Sequence, residues 1–281
     1  CEISCVYLCL CCNLWLSEGG HVYAAERQQL IESLVASEGR VVVVDLARRF
    51  GVTTETVRRD LDHLETTGLV RRVHGGAVSR SRRSTAEPSL AERTTRSSDA
   101  KAAIAMRALD AIPADFEGSV YLDAGTTTAA VAALLAQRPA GLAPIEVVTH
   151  SMTIARVLAG VPGLSLTAIG GRVRGLTAAA VGAQTVDAIS RLRPDIAFVG
   201  TNGISADFGL STPDPDEAAV KRAIIASARR RVVLADAEKF DAELLVSFAS
   251  LGDVDVLVSE AAPEGELAAA LEAVDAEVWT P

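Results

Sequence analysis

Residues 53–77, TTETVRRDLDHLETTGLVRRVHGGA, decide how the N-terminal part of this chain folds. Thr53 offers a hydroxyl that caps a helix, and Val57, Leu61 and Leu64 then share one face at helical spacing. At about 100° per residue, Glu55, Arg58, Arg59 and Asp62 point away from that face, with Thr54 and Thr56 near the N-terminus. A helix presented in this way puts its N-terminal residues into the major groove of DNA. There an arginine pairs with guanine or clamps a phosphate. The same arginines also have partners on their own face, Asp62 and Glu55 at a spacing of four, so the helix alone leaves a solvated surface open as the alternative.

The flanks favour DNA. After ETTG (65–68), the stretch LVRRVHGGAVSR (69–80) alternates apolar and basic residues around Gly75 and Gly76, the pattern of a two-stranded wing. Arg71, Arg72 and His74 would then lie beside flanking phosphates or the minor groove. Upstream, AAERQQLIESLVAS (24–37) carries Leu30, Ile31, Leu34 and Val35 as the stripe of an amphipathic helix that Gly39 ends. A second helix is expected over Val43–Phe50, with Leu46, Ala47 and Phe50 inward and Gly51 making the turn. Two short helices, a glycine turn and a third helix make a helix-turn-helix.

Charge separates this head from the rest. The chain carries −9 overall, yet residues 22–83 hold 11 basic and 8 acidic residues, whereas residues 84–281 hold 16 and 26. A basic module joined through SRSRRS (79–84) to an acidic body fits one part that meets a polyanion and one that does not. No stretch reaches the roughly 20 apolar residues of a transmembrane helix. Apolar residues make up 49% of the chain and aromatic residues 4%, a bias suited to buried strands and small-residue helix packing.

The body alternates β-rich runs, SVYLDAG (119–125), IEVVTH (145–150), LSLTAIGG (164–171), DIAFVGTN (195–202), RVVLADAEKF (231–240) and VDVLVSE (254–260), with helical stretches such as 127–137, 181–192 and 217–230. The expectation is an α/β domain with a mostly parallel sheet covered on both faces, binding its ligand beyond the carboxyl ends of the strands. Polar clusters fall at those ends. DAGTTT (123–128) opens a helix, so the amides and hydroxyls of Gly125, Thr126, Thr127 and Thr128 cradle an anion. Thr149, His150 and Ser151 end the next run, then Gly170, Gly171 and Arg172, then Gly200, Asn202 and Gly203, and Lys239 follows the fifth. Neither phosphate-loop lysine nor G-x-G-x-x-G spacing is present, which speaks against a nucleotide. Each cluster alone has a plainer explanation as a cap or turn, and Lys221 has Glu217 one turn away as an ordinary partner.

Five cysteines, Cys1, Cys5, Cys9, Cys11 and Cys12, crowd the first twelve residues and none follows. Their spacing matches no metal site, no partner exists for a disulfide framework, and Glu2 sits where an export signal needs basic residues. Residues 1–21 are therefore expected to be translated leader, with Val22 the initiator of a cysteine-free, cytoplasmic protein that needs no cofactor or metal.

The string RQQLIESLVASEGRVVVVDLARRFGVTTETVRRDLDHLETTGLVRRVHGGAV (27–78) resembles the DNA-binding domain of the DeoR family of bacterial repressors, with TVRRDL, LE, G and HGGA as its signature. The body, over about residues 90 to 260, is similar to the effector domain of that family, which itself resembles ribose-5-phosphate isomerase and glucosamine-6-phosphate deaminase. That resemblance implies a phosphorylated sugar as ligand. Asp123 and Gly125 to Thr128 would hold the phosphate region and Thr149, Gly200, Asn202, Gly203 and Lys239 would line the sugar, with Lys221 also in the site. His150 stands where many relatives have asparagine.

YAAERQQLI, DAGTTTA and GTNGIS with GLSTPDP and EAAVKRA most resemble actinobacterial regulators of fructose operons, for which fructose 1-phosphate is the expected signal. The expected organisation is a winged helix-turn-helix at 22–78, a linker at 79–95 and a sugar-phosphate-binding, oligomerising domain at 96–281. Its function would be a homodimeric or homotetrameric repressor of double-stranded operator DNA. The alternative is an isomerase or deaminase using Asp123, Asp214, Asp216 or Glu217 as base.

Overall fold

The computed structural model of the chain describes residues 23–38, 40–73, 75–79, 84–85, 87–138 and 143–281. The leader expectation, Val22 and His74 lie outside the described residues. The chain forms two units, divided between Arg82 and Arg83.

The first unit runs α1 (Ala24–Glu38), β1 (Arg40–Val42), α2 (Val43–Phe50), α3 (Thr54–Thr66), β2 (Val70–Val73) and β3 (Gly76–Ser79). The wing has three strands in the order β1-β3-β2, all antiparallel, because the valine run before α2 begins as a strand that pairs Arg40–Val42 with Gly76–Val78. That pairing explains Gly76, where a Cβ would stand 2.0 Å from the Val41 carbonyl oxygen. Gly51 caps α2 in the left-handed region at φ 63°, and its amide donates to the Ala47 and Arg48 carbonyls.

Ile31, Val35, Val57, Leu61, Leu64, Val70 and Ala77 are buried together, and Leu34 packs against them. Leu30, expected on that stripe, is 44% exposed, since it sits one helical position outside the arc of Ile31, Leu34 and Val35. A buried carboxylate completes the seam between α1 and α3. Asp60 accepts from Arg27 Nε at 2.6 Å and from Gln28 Nε2 at 3.0 Å.

The second unit contains α4 (Leu90–Thr95), α5 (Ser98–Ala108), β4 (Gly118–Leu122), α6 (Thr126–Leu135), β5 (Ile145–Thr149), α7 (Met152–Leu158), β6 (Leu164–Ala168), the hairpin β7 (Arg172–Arg174) and β8 (Ala179–Val181), α8 (Ala183–Ser190), β9 (Ile196–Gly200), β10 (Gly203–Ser205), β11 (Gly209–Thr212), α9 (Pro215–Ser227), β12 (Arg230–Leu234), β13 (Val246–Ala249), β14 (Val256–Val258), α10 (Gly265–Ala273) and β15 (Glu277–Trp279). A seven-stranded sheet, entirely parallel, has the order β15-β14-β12-β9-β4-β5-β6. The six β-rich runs of the sequence supply six of its strands, and β15 joins them at one edge.

Both faces are covered. Along β4, Val120 and Leu122 enter one apolar core with Ile104, Val131 and Ile154, while Tyr121 enters the other with Ile189, Ile224 and Leu267. This is why the strands read as continuous apolar runs. β10, β11 and β13 form a smaller antiparallel sheet. Within the stretch read as a linker, Ser89 and Glu92 form a capping box that starts α4, and the Leu245 amide donates to the Ser84 carbonyl at 3.0 Å. No helix among the described residues is long and apolar enough to cross a membrane.

Removing the Asp60 carboxylate leaves a guanidinium buried in the first unit. Asp60→Ala is expected to lower the unfolding free energy by about 3 kcal/mol in urea denaturation, whereas Asp45→Ala, at an exposed pair with Arg48, should change it by no more than about 0.5 kcal/mol. Equal losses would remove the α1–α3 seam as the cause.

Candidate functional site

Thr53 caps α3, its Oγ1 accepting from the Thr56 amide at 3.2 Å and lying 2.9 Å from the Thr56 hydroxyl. Thr54, Glu55 and Thr56 occupy the first turn. The Arg58 and Arg59 side chains are 53% and 79% exposed and both approach Glu55, at 3.7 and 3.5 Å. Such exposed pairs are weak, so turning either guanidinium to a phosphate or base costs little. Asp62 does not serve Arg58. It pairs with Arg72, whose amide also donates to Glu65 Oε1 at 2.7 Å and whose Nη1 stands 3.5 Å from the Arg58 carbonyl. Arg72 therefore braces the wing against α3. Arg71 stands opposite Val78 on β2.

In the second unit, successive strands run outward from β4 through β5 to β6, then from β9 through β12 and β14 to β15. The order reverses between β4 and β9, and ligands bind at the carboxyl side of such a reversal. Asp123 follows β4 there, fully buried. Its Oδ2 accepts from the Gly200 amide at 2.9 Å and from Lys221 Nζ, which also donates to the Gly200 carbonyl at 2.8 Å. Lys221 thus reaches across to β4 and β9, and Glu217, the partner expected one turn away, bonds instead to Thr177 and, at 3.1 Å, to Arg174. Burial pushes the Glu217 carboxyl above its usual range against the pull of Thr177 and Lys221.

His150 lies beside this pair. Its Nδ1 is 3.0 Å from the Tyr121 hydroxyl and its Nε2 is 3.7 Å from Asp123 Oδ1. Burial lowers the His150 pKa to about 4 despite the neighbouring Asp123 carboxylate, with Lys221 adding to the shift. The ring is therefore neutral near pH 7, and its closeness to Asp123 is no ion pair. Burial, then Asp123, holds the Tyr121 phenol protonated far above neutrality. The tautomer with its proton on Nε2, facing the carboxylate, leaves Nδ1 to accept from Tyr121.

Gly125 stands at the N-cap of α6, with Thr126, Thr127 and Thr128 in its first turn and the Thr128 hydroxyl donating back to the Gly125 carbonyl at 3.0 Å. Thr149 is a buried strut, donating to the Leu122 carbonyl at 2.7 Å and accepting from the Ser151 amide at 3.1 Å. Asn202 Oδ1 accepts from the Thr212 hydroxyl at 3.1 Å. Gly203 is set by packing, since a Cβ would stand 2.2 Å from the Ala242 carbonyl oxygen; Gly171 likewise faces the Thr185 hydroxyl at 2.0 Å. Lys239 lies after β12, its Nζ 3.8 Å from the buried Asp236.

The structure joins Asp123, Gly200, Lys221 and His150 in one network at the reversal, opens α6 three residues beyond Asp123, and sets Lys239 two strands from β4. Tyr121 and Arg174 escaped the sequence reading, the first because it looks like core and the second because only the hairpin brings it to α9. Among the described residues no group of three or more His, Cys, Asp or Glu is placed to hold a metal ion.

A helix with an exposed arginine pair, braced by a wing and followed by a parallel sheet with a buried polar network at its reversal, defines a two-part regulator: a nucleic-acid-reading head and a sensor body. Residues 27–83 match the DeoR-like helix-turn-helix domain and residues 96–261 the DeoR C terminal sensor domain, and the chain belongs to the DeoR family of transcriptional regulators. It is 33% identical to the uncharacterized HTH-type transcriptional regulator FruR of Bacillus subtilis (strain 168), over 84% of this chain and 91% of that one. It is 31% identical to the glycerol-3-phosphate regulon repressor of Escherichia coli (strain K12), over 85% and 91%. Ribose 5-phosphate isomerase A from Methanocaldococcus jannaschii is a remote likeness, with a TM-score of 0.38 and 17% identity over 51% of this chain and 55% of that one.

Since folded His150 refuses a proton that the unfolded chain accepts at an ordinary pKa of about 6.5, stability rises with pH between about 4 and 6.5 and is lost on acidification through that window. Denaturation at pH 7 and 4.5 should show wild type losing about 2 kcal/mol more than His150→Asn. An identical loss in the variant would mean that the ring is charged or exposed in the fold.

Proposed function

We propose that this regulator is a repressor that holds operator DNA through α3 and its wing and releases it when a phosphorylated sugar occupies the crevice at the β4/β9 reversal. The observation that carries the reading is the pairing of an exposed Arg58–Arg59 face with a polar network at the carboxyl ends of β4 and β9. Thr54 and Thr56 would face bases or sugar-phosphate alongside these arginines. The amides of Gly125 to Thr128 would take the phosphate. The buried Asp123 and Lys221 would shape the floor beneath it, a change from the direct phosphate contact that the family resemblance implies for Asp123, because a carboxylate repels phosphate. Asn202, Lys239 and the Gly200 loop would face the sugar.

The glycerol-3-phosphate regulon repressors among its relatives support a small phosphorylated ligand, and FruR among them favours fructose 1-phosphate. A homodimer or homotetramer in the cytoplasm would engage half-sites about one helical turn, or a multiple, apart. The isomerase or deaminase reading needs a carboxylate available to a substrate carbon. Asp123 is instead bound by Lys221 and Gly200, and Glu217 by Thr177 and Arg174.

Fluorescence anisotropy on the DNA upstream of its own gene, with and without fructose 1-phosphate or glycerol 3-phosphate, tests this reading. A salt-sensitive, sequence-preferring complex that loosens with one of them is expected, and its absence would refute the repressor. Arg58→Ala and Arg59→Ala should each weaken the operator complex by about 1 to 3 kcal/mol while leaving sugar-phosphate binding unchanged. Thr127→Ala should raise the sugar-phosphate concentration for half-release about tenfold, equivalent to one lost hydrogen bond to a charged group; an unmoved curve would exclude the α6 turn as the phosphate cradle.

A further inference from the structure

At the start of the second unit, residues 84–85 and 87–96 are fastened to the rest of that unit at successive points. The Leu245 amide holds the Ser84 carbonyl, and Arg96 Nε pairs with Glu238 Oε2 at 2.6 Å. Lys101, itself buried, donates its ammonium to the Arg93 and Arg96 carbonyls at the end of α4. Between these points sits Glu87, whose side chain is only 3% exposed although it carries a carboxylate. Arg93 Nη1 stands 3.2 Å from one oxygen and Arg174 Nη2 2.7 Å from the other.

The far ends of these contacts matter more than their number. Arg174, in β7, also pairs with Asp214 at 3.0 Å and with Glu217 at 3.1 Å, the N-cap and the first turn of α9. One turn further along α9, Lys221 meets Asp123 and Gly200 at the sheet reversal. Glu238 lies in the turn Ala237–Lys239, which carries Lys239. The elements gripping this segment through Arg174 and Glu238 are thus elements that also border the crevice.

We propose that Glu87 is the positioning residue through which the sensor crevice controls the DNA-binding unit: the contact of its carboxylate with Arg174 is made or broken as α9 and the β7–β8 hairpin answer the ligand. This rests on the sensor reading above. An exposed ion pair would be too weak and too loose for the task. A desolvated one between two arginines has a defined geometry and loses much when one partner withdraws. Coupling requires such a contact to differ between the two states, along a physically continuous route. Ligand at the Asp123–Lys221 floor shifts α9, α9 carries Asp214 and Glu217, these share Arg174, and Arg174 sets whether Glu87 stays pinned.

The test uses the full-length protein, its upstream DNA and fructose 1-phosphate or glycerol 3-phosphate as probes. Wild type should lose operator affinity by a factor between about 5 and 150 at saturating probe, the usual span of such coupling. Glu87→Gln, which keeps shape and removes charge, should retain the probe Kd within about threefold yet reduce that factor at least about fivefold. By reciprocity, operator DNA should weaken probe binding in the variant only by that same reduced factor. Glu87→Asp should restore part of the response, which a merely structural role would not require. Should Glu87→Gln fail to fold, Arg174→Lys carries the same expectation. A folded variant with the wild-type response, or one whose probe affinity falls in step with it, overturns the coupling role alone. A wild type deaf to both probes overturns the sensor reading, and the coupling with it.

Discussion

The contact on which the sensor unit depends is the buried pairing of Asp123 with Lys221. Taking two charges out of water costs several kcal/mol for each, and the cost is offset only when their remaining hydrogen-bonding capacity is met nearby. Gly200 does so for both partners, donating its amide to Asp123 and offering its carbonyl to Lys221. One carboxylate and one ammonium thus tie the end of β4, the end of β9 and the middle of α9 together at the place where the strand order reverses. A reversal otherwise leaves neighbouring crossovers diverging to opposite sides of the sheet, with a gap between them. Here polar groups meet at that point, with Tyr121 and a neutral His150 beside them.

In the head a buried ion pair has a comparable place. Arg27 and Gln28 on α1 both reach Asp60, the residue directly after Arg58 and Arg59. The apolar seam of Ile31, Val57 and Leu61 sets how deeply α3 sits. The Asp60 contacts set how it is rotated, and therefore where its arginines point. Arg72 adds a brace from the wing. Basic residues in this head accordingly divide into those that hold the fold, Arg27 and Arg72, and those whose side chains stay exposed, Arg58 and Arg59, a division that net charge does not reveal.

Much of this was legible in the residues alone. The helices of the head followed from the Thr53 cap, the Val57–Leu61–Leu64 spacing and Gly51, since capping and helical period are local effects that neighbouring residues decide. The six apolar runs of the body followed from the same kind of reasoning, because strands buried on both faces must be apolar throughout. The strand β1 did not, as three valine-rich residues before a helix have no period to read and become a strand only where β3 lies alongside. Nor did β15, too short to announce itself.

By itself, then, the sequence determined the two-part organisation, the helix-turn-helix with its exposed Arg58 and Arg59, and a parallel sheet with polar turns at its strand ends. Only the tertiary structure decided the partners of the charged side chains. Lys221 has Glu217 four residues away and Asp123 98 residues away, and it takes Asp123. Arg58 has Asp62 within a turn, and Asp62 takes Arg72. Local spacing names the partners a side chain can reach along its own helix, whereas the tertiary fold selects among all partners in space, through the placement of the wing for the exposed Asp62 and through burial for Lys221. A charge removed from water must go to whichever group also loses water at the same point.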